Sequence, residues 1–169
     1  MKPVIAPIEG ERIRLRLLAE ADLPLTLAWR NQDHIRRWFF HSDIIQPEQH
    51  CAWFDKYRAK DDDFVFIIVA KETDTPIGQV ALYRIDRAQQ EAEFGRILIG
   101  EASASGKGYA REATQLIVQR FGFEQLGLRR IYLEVFADNA PAIAVYEKCG
   151  FRRVGEQGGQ ILMEIVRSA

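Results

Sequence analysis

A chain of 169 residues can bury one full hydrophobic core and is short for two, so a single domain spanning 1–169 is expected. Its 47% apolar and 28% charged residues are the mixture of an ordinary globular protein, which excludes intrinsic disorder and a membrane span. Acids and bases are interspersed and the formal charge is −1. That leaves no basic face able to track a phosphate backbone, so neither nucleic acid nor membrane is an expected partner, and any anion binding has to be local.

The N-terminal stretch "MKPVIAPIEGERIRLR" is interrupted by Pro3 and Pro7 and has no apolar run of signal-peptide length, so the cytoplasm is the expected compartment. Arg12 to Leu17 alternates apolar and basic residues as a strand does, and "EADLPLTLAWRN" sets Leu23 and Leu27 four apart on a helix. The next segment, to Lys60, is rich in aromatic residues, with Pro47 suited to the first turn of a helix. "DFVFIIVAKE", "TDTP" and "IGQVALYRI" read as strand, turn and strand, and "EAEFGRILIG" adds a third neighbouring strand. A helix after Gly108 carries Ala110, Ala113, Ile117 and Phe121 on one face, followed by the alternating strand "RRIYLEVF". Asp138 or Asn139 caps a last helix with Pro141 in its first turn and Gly150 at its end, and "GQILMEIVR" closes the chain as a strand. Antiparallel strands followed by alternating strands and helices predict an α/β (α+β layered) fold, a mixed, mostly antiparallel central sheet with helices on both faces. Cys51 and Cys149 are far apart and no histidines cluster, so no disulfide and no metal site is expected, and both thiols are expected to be buried.

The stretch "SGKGYARE", Ser105 to Glu112, stands where a strand feeds a helix, the place where such sheets bind ligands. Two glycines at a helix start let backbone N–H groups meet an anion without obstruction. The spacing is not that of a P-loop: five residues separate Gly100 from Gly106, and Gly108 replaces the Mg²⁺-binding hydroxyl. Nor is it the dinucleotide fingerprint, because Arg111 occupies the position where helix and strand pack closely. Ser105 to Ala110 does satisfy the pattern Q/R-x-x-G-x-G/A except at its first position, and "NAPAIAVYEKCGF", Asn139 to Phe151, satisfies N-x-x-A-x-x-x-Y-x-x-x-G-F at every named position. With both motifs in order and a strand between them, the chain resembles the GNAT superfamily of acetyl-CoA-dependent N-acetyltransferases. Within it the chain is most similar to bacterial enzymes acting on nucleotide-linked amino sugars, and also to spermidine and ribosomal-protein N-terminal acetyltransferases.

The resemblance implies acetyl-CoA as co-substrate, with its pyrophosphate cradled by Ser105, Gly106, Lys107, Gly108, Tyr109, Ala110 and Arg111. It also implies that backbone groups of Leu98 and Ile99 pair with the pantetheine arm as a strand would, and that Asn139 contacts the cofactor besides capping its helix. Ser105 stands where the family often has a longer polar side chain, which shifts affinity onto Lys107, Arg111 and backbone amides. Transfer of an acetyl group to an amine needs a base for the amine, stabilisation of an oxyanion and a proton for the thiolate. Strand alternation puts Glu93, Gly95, Ile97 and Ile99 on one face, and the resemblance makes Glu93 the candidate base; its alternative is a surface carboxylate paired with Arg84 or Arg96. Tyr146 is by resemblance the candidate acid, or else a core tyrosine. Trp29, Arg30, Asn31, Arg36, Trp38 and His41 form the expected acceptor set, because a nucleotide-sugar calls for ring stacking and cations. A polyamine would call for carboxylates, and the run Asp61 to Asp63 reads as a solvated turn. The expected acceptor is a small-molecule amine, foremost a nucleotide-linked amino sugar, with a polyamine, a protein N-terminus or a non-catalytic CoA-sensing module as alternatives. A homodimer paired through edge strands is the corresponding expectation for assembly.

Overall fold

The computed structural model describes residues 2–168. Its framework is one eight-stranded sheet built from β1 (Ile8–Glu9), β2 (Ile13–Leu17), β3 (Phe64–Ala70), β4 (Thr75–Asp86), β5 (Glu91–Ile99), β6 (Arg130–Phe136), β7 (Arg152–Gln157) and β8 (Gln160–Val166), in the spatial order β1-β2-β3-β4-β5-β6-β8-β7. Neighbours are antiparallel except β5 and β6. The helices α1 (Leu23–Arg30), α2 (Asp33–Arg36) and α3 (Pro47–Tyr57) cover one face. The other face carries α4 (Tyr109–Gln115), which runs on into a wider π-type segment, Leu116–Gln125, and α5 (Ala140–Lys148).

This layering explains why β3 is apolar without interruption. Phe64, Phe66 and Ile68 pack toward α4 and its extension, while Val65, Ile67 and Val69 pack toward α1 and α3, so both faces of the strand are buried. On β6 only one face is buried, and Ile131, Leu133 and Val135 alternate with half-buried or exposed residues as expected. At the start of α5 the Asn139 side chain accepts from the Ala142 N–H at 3.4 Å, with Pro141 in the first turn. β7 was not anticipated: all six of its residues are exposed, so no hydrophobic alternation marks it.

The expected alternation along β5 fails at one place. Between the pairs Gln79–Leu98 and Ala81–Gly95 the register shifts by one residue, and Arg96 takes φ +51°. Gly95 and Arg96 consequently face the same way. Glu93 and Gly95 lie on the α1–α3 side with Tyr83, whereas Ile97 and Ile99 turn to the α4–α5 side, so the four do not share a face. A second shift lies between Tyr83 and Asp86 on β4, where Arg84 has φ +49°. Left-handed backbone costs a non-glycine residue about 1–2 kcal/mol, and here Arg84 and Arg96, which pair with Glu93 and Asp63 respectively, both carry it.

Candidate active site

β5 and β6 pair for only three residues each, Glu91 to Glu93 against Arg130 to Tyr132, and then diverge. From Phe94 to Ile99 the edge of β5 that faces β6 has no strand partner, so its N–H and C=O groups are free to pair with an extended ligand. The divergence opens a cleft of about 700 Å³ through the sheet. Glu93, Leu98, Ile99, Ser105, Ala110, Asn139 and Tyr146 line it, joined on the α1–α3 side by Arg30, Trp38 and His41.

Glu93 is 6% exposed and both of its oxygens are held. Tyr83 donates its hydroxyl to Oε2 at 3.1 Å, and the Arg84 guanidinium pairs with Oε1. Burial, reinforced by the charge of Glu93, pushes the Tyr83 phenol well above its ordinary value, which keeps it a donor. Behind Tyr83 the Arg96 guanidinium lies 4.0 Å from the ring centroid and binds Asp63 Oδ1 at 2.8 Å. Gly95 makes the arrangement possible, since a Cβ there would stand 2.6 Å from the Tyr83 hydroxyl oxygen. Asp63 is 4% exposed, so the expectation of a solvated acidic turn fails for its last residue. The Tyr83–Arg96–Asp63 support was not found in the sequence, because the bulge that brings Arg96 onto Tyr83 leaves no mark in residue alternation.

The loop from Ser105 to Gly108 is exposed, with φ +73° at Gly106 and +82° at Gly108. Only glycine takes such angles at little cost. Gly108 is the N-cap of α4 and no side chain caps the helix, so its first N–H groups point outward unclaimed by a capping side chain. The loop is anchored from below. Arg12 donates Nη1 to the Lys107 carbonyl at 2.8 Å and lies 4.7 Å from the Tyr109 ring centroid, while Glu112 accepts from the Arg12 and Ile13 backbone N–H groups at 2.9 and 3.3 Å. This shape suits a diphosphate: glycines where a Cβ would obstruct, unclaimed amides, and the exposed cations Lys107 and Arg111 alongside. Arg12 and Glu112 were missed in the sequence; an exposed Arg at a strand start has no signature tying it to a loop 95 residues away.

On the opposite wall Tyr146 is 8% exposed and packs edge-on to Phe94 with ring centroids 5.7 Å apart. Burial raises its phenol far above the ordinary value, with Cys149 a smaller contribution, so it is protonated at neutral pH. The Cys149 thiol, itself raised by burial, donates to the Arg111 carbonyl at 3.6 Å and joins α5 to the glycine-loop helix.

Three members of the expected acceptor set stand outside the cleft. Trp29 is 2% exposed, donates its indole N–H to Glu101 Oε1 at 2.8 Å and packs on Gly100, where any Cβ would strike the indole. Asn31 exchanges two hydrogen bonds of 2.8 Å with the backbone of Ile45 and so fixes the segment leading to α3. Arg36 is occupied by Asp33 and the Ser42 carbonyl. Cys51, expected to be buried, is exposed on the outer surface of α3. His50 bonds Thr26 at 2.9 Å and stacks on Trp53, a structural role.

Among the described residues no group of three or more His, Cys, Asp or Glu side chains is placed to hold a metal ion, and no helix is long and apolar enough to cross a membrane. Residues 12–152 match the family model of the acetyltransferase (GNAT) domain. The uncharacterized N-acetyltransferase p20 of Bacillus licheniformis is 37% identical, across 86% of this chain and 82% of that protein. Spermidine N(1)-acetyltransferase of Escherichia coli K12 is 30% identical, across 85% of this chain and 75% of its own length. Among solved structures, spermidine N-acetyltransferase from Vibrio cholerae in complex with CoA and spermine has a TM-score of 0.83 at 26% identity, covering 93% of this chain and 96% of that one. The chain therefore belongs to the GNAT acetyltransferase family and is an acetyl-CoA-dependent N-acetyltransferase.

Proposed function

We propose that the protein moves the acetyl group of acetyl-CoA directly onto the primary amine of a small molecule, with Glu93 as base and Tyr146 as acid. The observation that carries this reading is the free edge of β5: it runs between a buried carboxylate on one side of the sheet and a buried phenol on the other, inside one cleft. Bound acetyl-CoA supplies an activated thioester. The glycine loop holds the diphosphate through the first N–H groups of α4, and backbone groups of Leu98 and Ile99 align the arm along β5. Free N–H groups on this edge face the acyl oxygen as negative charge develops there.

Glu93 has the capacity for its role. A carboxylate offers about four acceptor sites, and Tyr83 and Arg84 occupy two, leaving room for an ammonium proton directly or through one water. Tyr146, kept protonated by burial, donates to the departing sulfur, and the proton it loses is restored from the solvent-connected cleft. Cys149 serves no covalent step; its thiol is turned to the Arg111 carbonyl.

The acceptor is read as a small amine, a nucleotide-linked amino sugar on the strength of the aromatic and cationic wall of Arg30, Trp38, Phe39 and His41. A polyamine is the second reading, favoured by the spermidine acetyltransferases among the relatives. Incubation with acetyl-CoA and a mixed pool of UDP- and dTDP-amino sugars, spermidine and N-terminal peptides, followed by mass spectrometry, tests the reading. An acetylated small molecule is the expected outcome. Tight acetyl-CoA binding with no acetylated product from any amine would overturn it in favour of a CoA-sensing role.

A further inference from the structure

The acceptor side of the cleft is unbalanced in a specific way. Three arginines line it, Arg30, Arg84 and Arg96. Arg84 is paired with Glu93 and Arg96 with Asp63. Arg30 forms no salt bridge among the described residues, although it is only 8% exposed. Its Nη2 donates to the His41 carbonyl, its guanidinium lies 4.0 Å from the Phe39 ring centroid, and its Nη1 is buried with no hydrogen-bond partner. Nη1 is the only buried side-chain nitrogen or oxygen among the described residues left in that condition. A guanidinium does not shed its charge, so an unpaired buried N–H at a cleft wall is a standing demand for an acceptor oxygen.

Two groups that meet the Arg30 guanidinium, the Phe39 ring and the His41 carbonyl, belong to the surface segment between α2 and α3. Their neighbour Phe40, in the same segment, is 48% exposed and meets Phe136 edge-on at 5.0 Å. For a ligand oxygen to reach Nη1, the half-buried Phe39 side chain that lies on the guanidinium has to turn aside. The two carboxylates that line the cleft, Glu93 and Glu134, both belong to strands of the sheet, whereas Arg30 is the last residue of α1.

We propose, building on the transfer reading above, that Arg30 receives an anionic group, carboxylate or phosphate, carried by the acceptor, so that the acceptor is an amine that also bears an anion and not a polycation. The amine then lies by Glu93 and Glu134, and the anion completes the fork of Arg30 with charge-assisted hydrogen bonds. A polyamine would bring a second ammonium against Arg30 with nothing to offset the repulsion, which discriminates against it.

Matched amines test this on the protein loaded with CoA, where binding is measured by calorimetry without turnover. Glucosamine 6-phosphate is compared with glucosamine, γ-aminobutyrate with butylamine, and spermidine is added as the polycation; initial transfer rates from acetyl-CoA are recorded in parallel. The anionic member of at least one pair binds about tenfold or more tightly than its neutral partner, and the pair that shows it tells phosphate from carboxylate. Arg30→Met abolishes that advantage, and Arg30→Lys keeps part of it. The inference is overturned if both pairs bind equally or not at all, if spermidine binds as tightly as the anionic amines, if the advantage survives Arg30→Met, or if that variant weakens CoA instead. Should Arg30→Met not fold, Arg30→Lys and the matched pairs on the unaltered protein still decide. Arg30-dependent binding of an anionic amine that is never acetylated would uphold this subsite and overturn the transfer reading; efficient acetylation of spermidine would do the reverse.

Discussion

Replacing Gly95 by alanine is a small change with a calculable consequence. The added Cβ would stand 2.6 Å from the Tyr83 hydroxyl oxygen and 3.3 Å from two ring carbons, inside the ~3.5 Å at which non-bonded contacts become favourable. Tyr83 has no room to retreat along its ring normal, because Arg96 lies 4.0 Å from its centroid and is tied to Asp63. The hydroxyl therefore leaves Glu93, and a hydrogen bond to a charged, buried acceptor is worth about 1.5–3 kcal/mol. Alanine returns about 0.4–1 kcal/mol by restricting the unfolded chain, so the net loss is about 0.5–2.6 kcal/mol. For a chain of this length that lowers Tm by roughly 1–10 °C. The assay is a double-mutant cycle by thermal and urea unfolding. In the Tyr83→Phe background the oxygen is already gone, so Gly95→Ala is expected to be near neutral there, a coupling of about 1 kcal/mol or more. Equal costs in the two backgrounds would refute the argued contact.

Three further outcomes follow from the same geometry. Gly108→Val forces a β-branched residue to φ +82° with Arg12 Nη2 3.2 Å from the new Cβ, and should weaken acetyl-CoA binding at least about tenfold by calorimetry; unchanged affinity in a folded variant would remove the phosphate cradle. Tyr146→Phe should lower kcat about 10- to 100-fold with the KM for acetyl-CoA little changed, as expected when an interaction made only in the transition state is lost; an unchanged kcat would remove its acid role. Burial raises the phenols of Tyr57, Tyr83 and Tyr146, so these stay neutral in the fold while unfolded tyrosine ionises near pH ~10. The native state then binds more protons, and unfolding free energy falls as pH rises above ~10. Lys2, pushed down to about 8 by burial, acts in the opposite sense between there and its unfolded value of ~10.4, so it offsets the onset of the decline until the three phenols outweigh it near pH ~10. Urea titrations at pH 9, 10 and 11 measure it, and a flat profile would contradict the burial of these groups.

The parts of this protein that could be read from sequence are those whose physics is local. Glycines at a helix start, Asn139 with Pro141, and the two-sided apolar run of β3 each announce themselves within a few residues. What could not be read depends on where separate segments meet. One unpaired residue at the Arg96 bulge reversed the facing of Ile97 and Ile99 relative to Glu93. Trp29 looked like a stacking platform, yet Gly100, 71 residues later, provides the surface against which it is buried. Asn31 and Arg36 have the right chemistry for a ligand but spend it on the backbone of the segment before α3. Arg30 and Arg36 are alike in sequence; only the packing of Phe39 and the carbonyl of His41 leaves the first with an unpaired N–H.

The central claim is that the buried carboxylate at the branching point of the sheet takes the proton of the acceptor amine, and the most direct test is the turnover of Glu93→Gln followed by thiol release at saturating acetyl-CoA. Glutamine keeps the volume and still accepts from Tyr83, but it cannot take up a proton at neutral pH. The account predicts a kcat lower by about 10²- to 10⁴-fold with acetyl-CoA affinity unchanged by calorimetry. A kcat within threefold of the unaltered protein would contradict it.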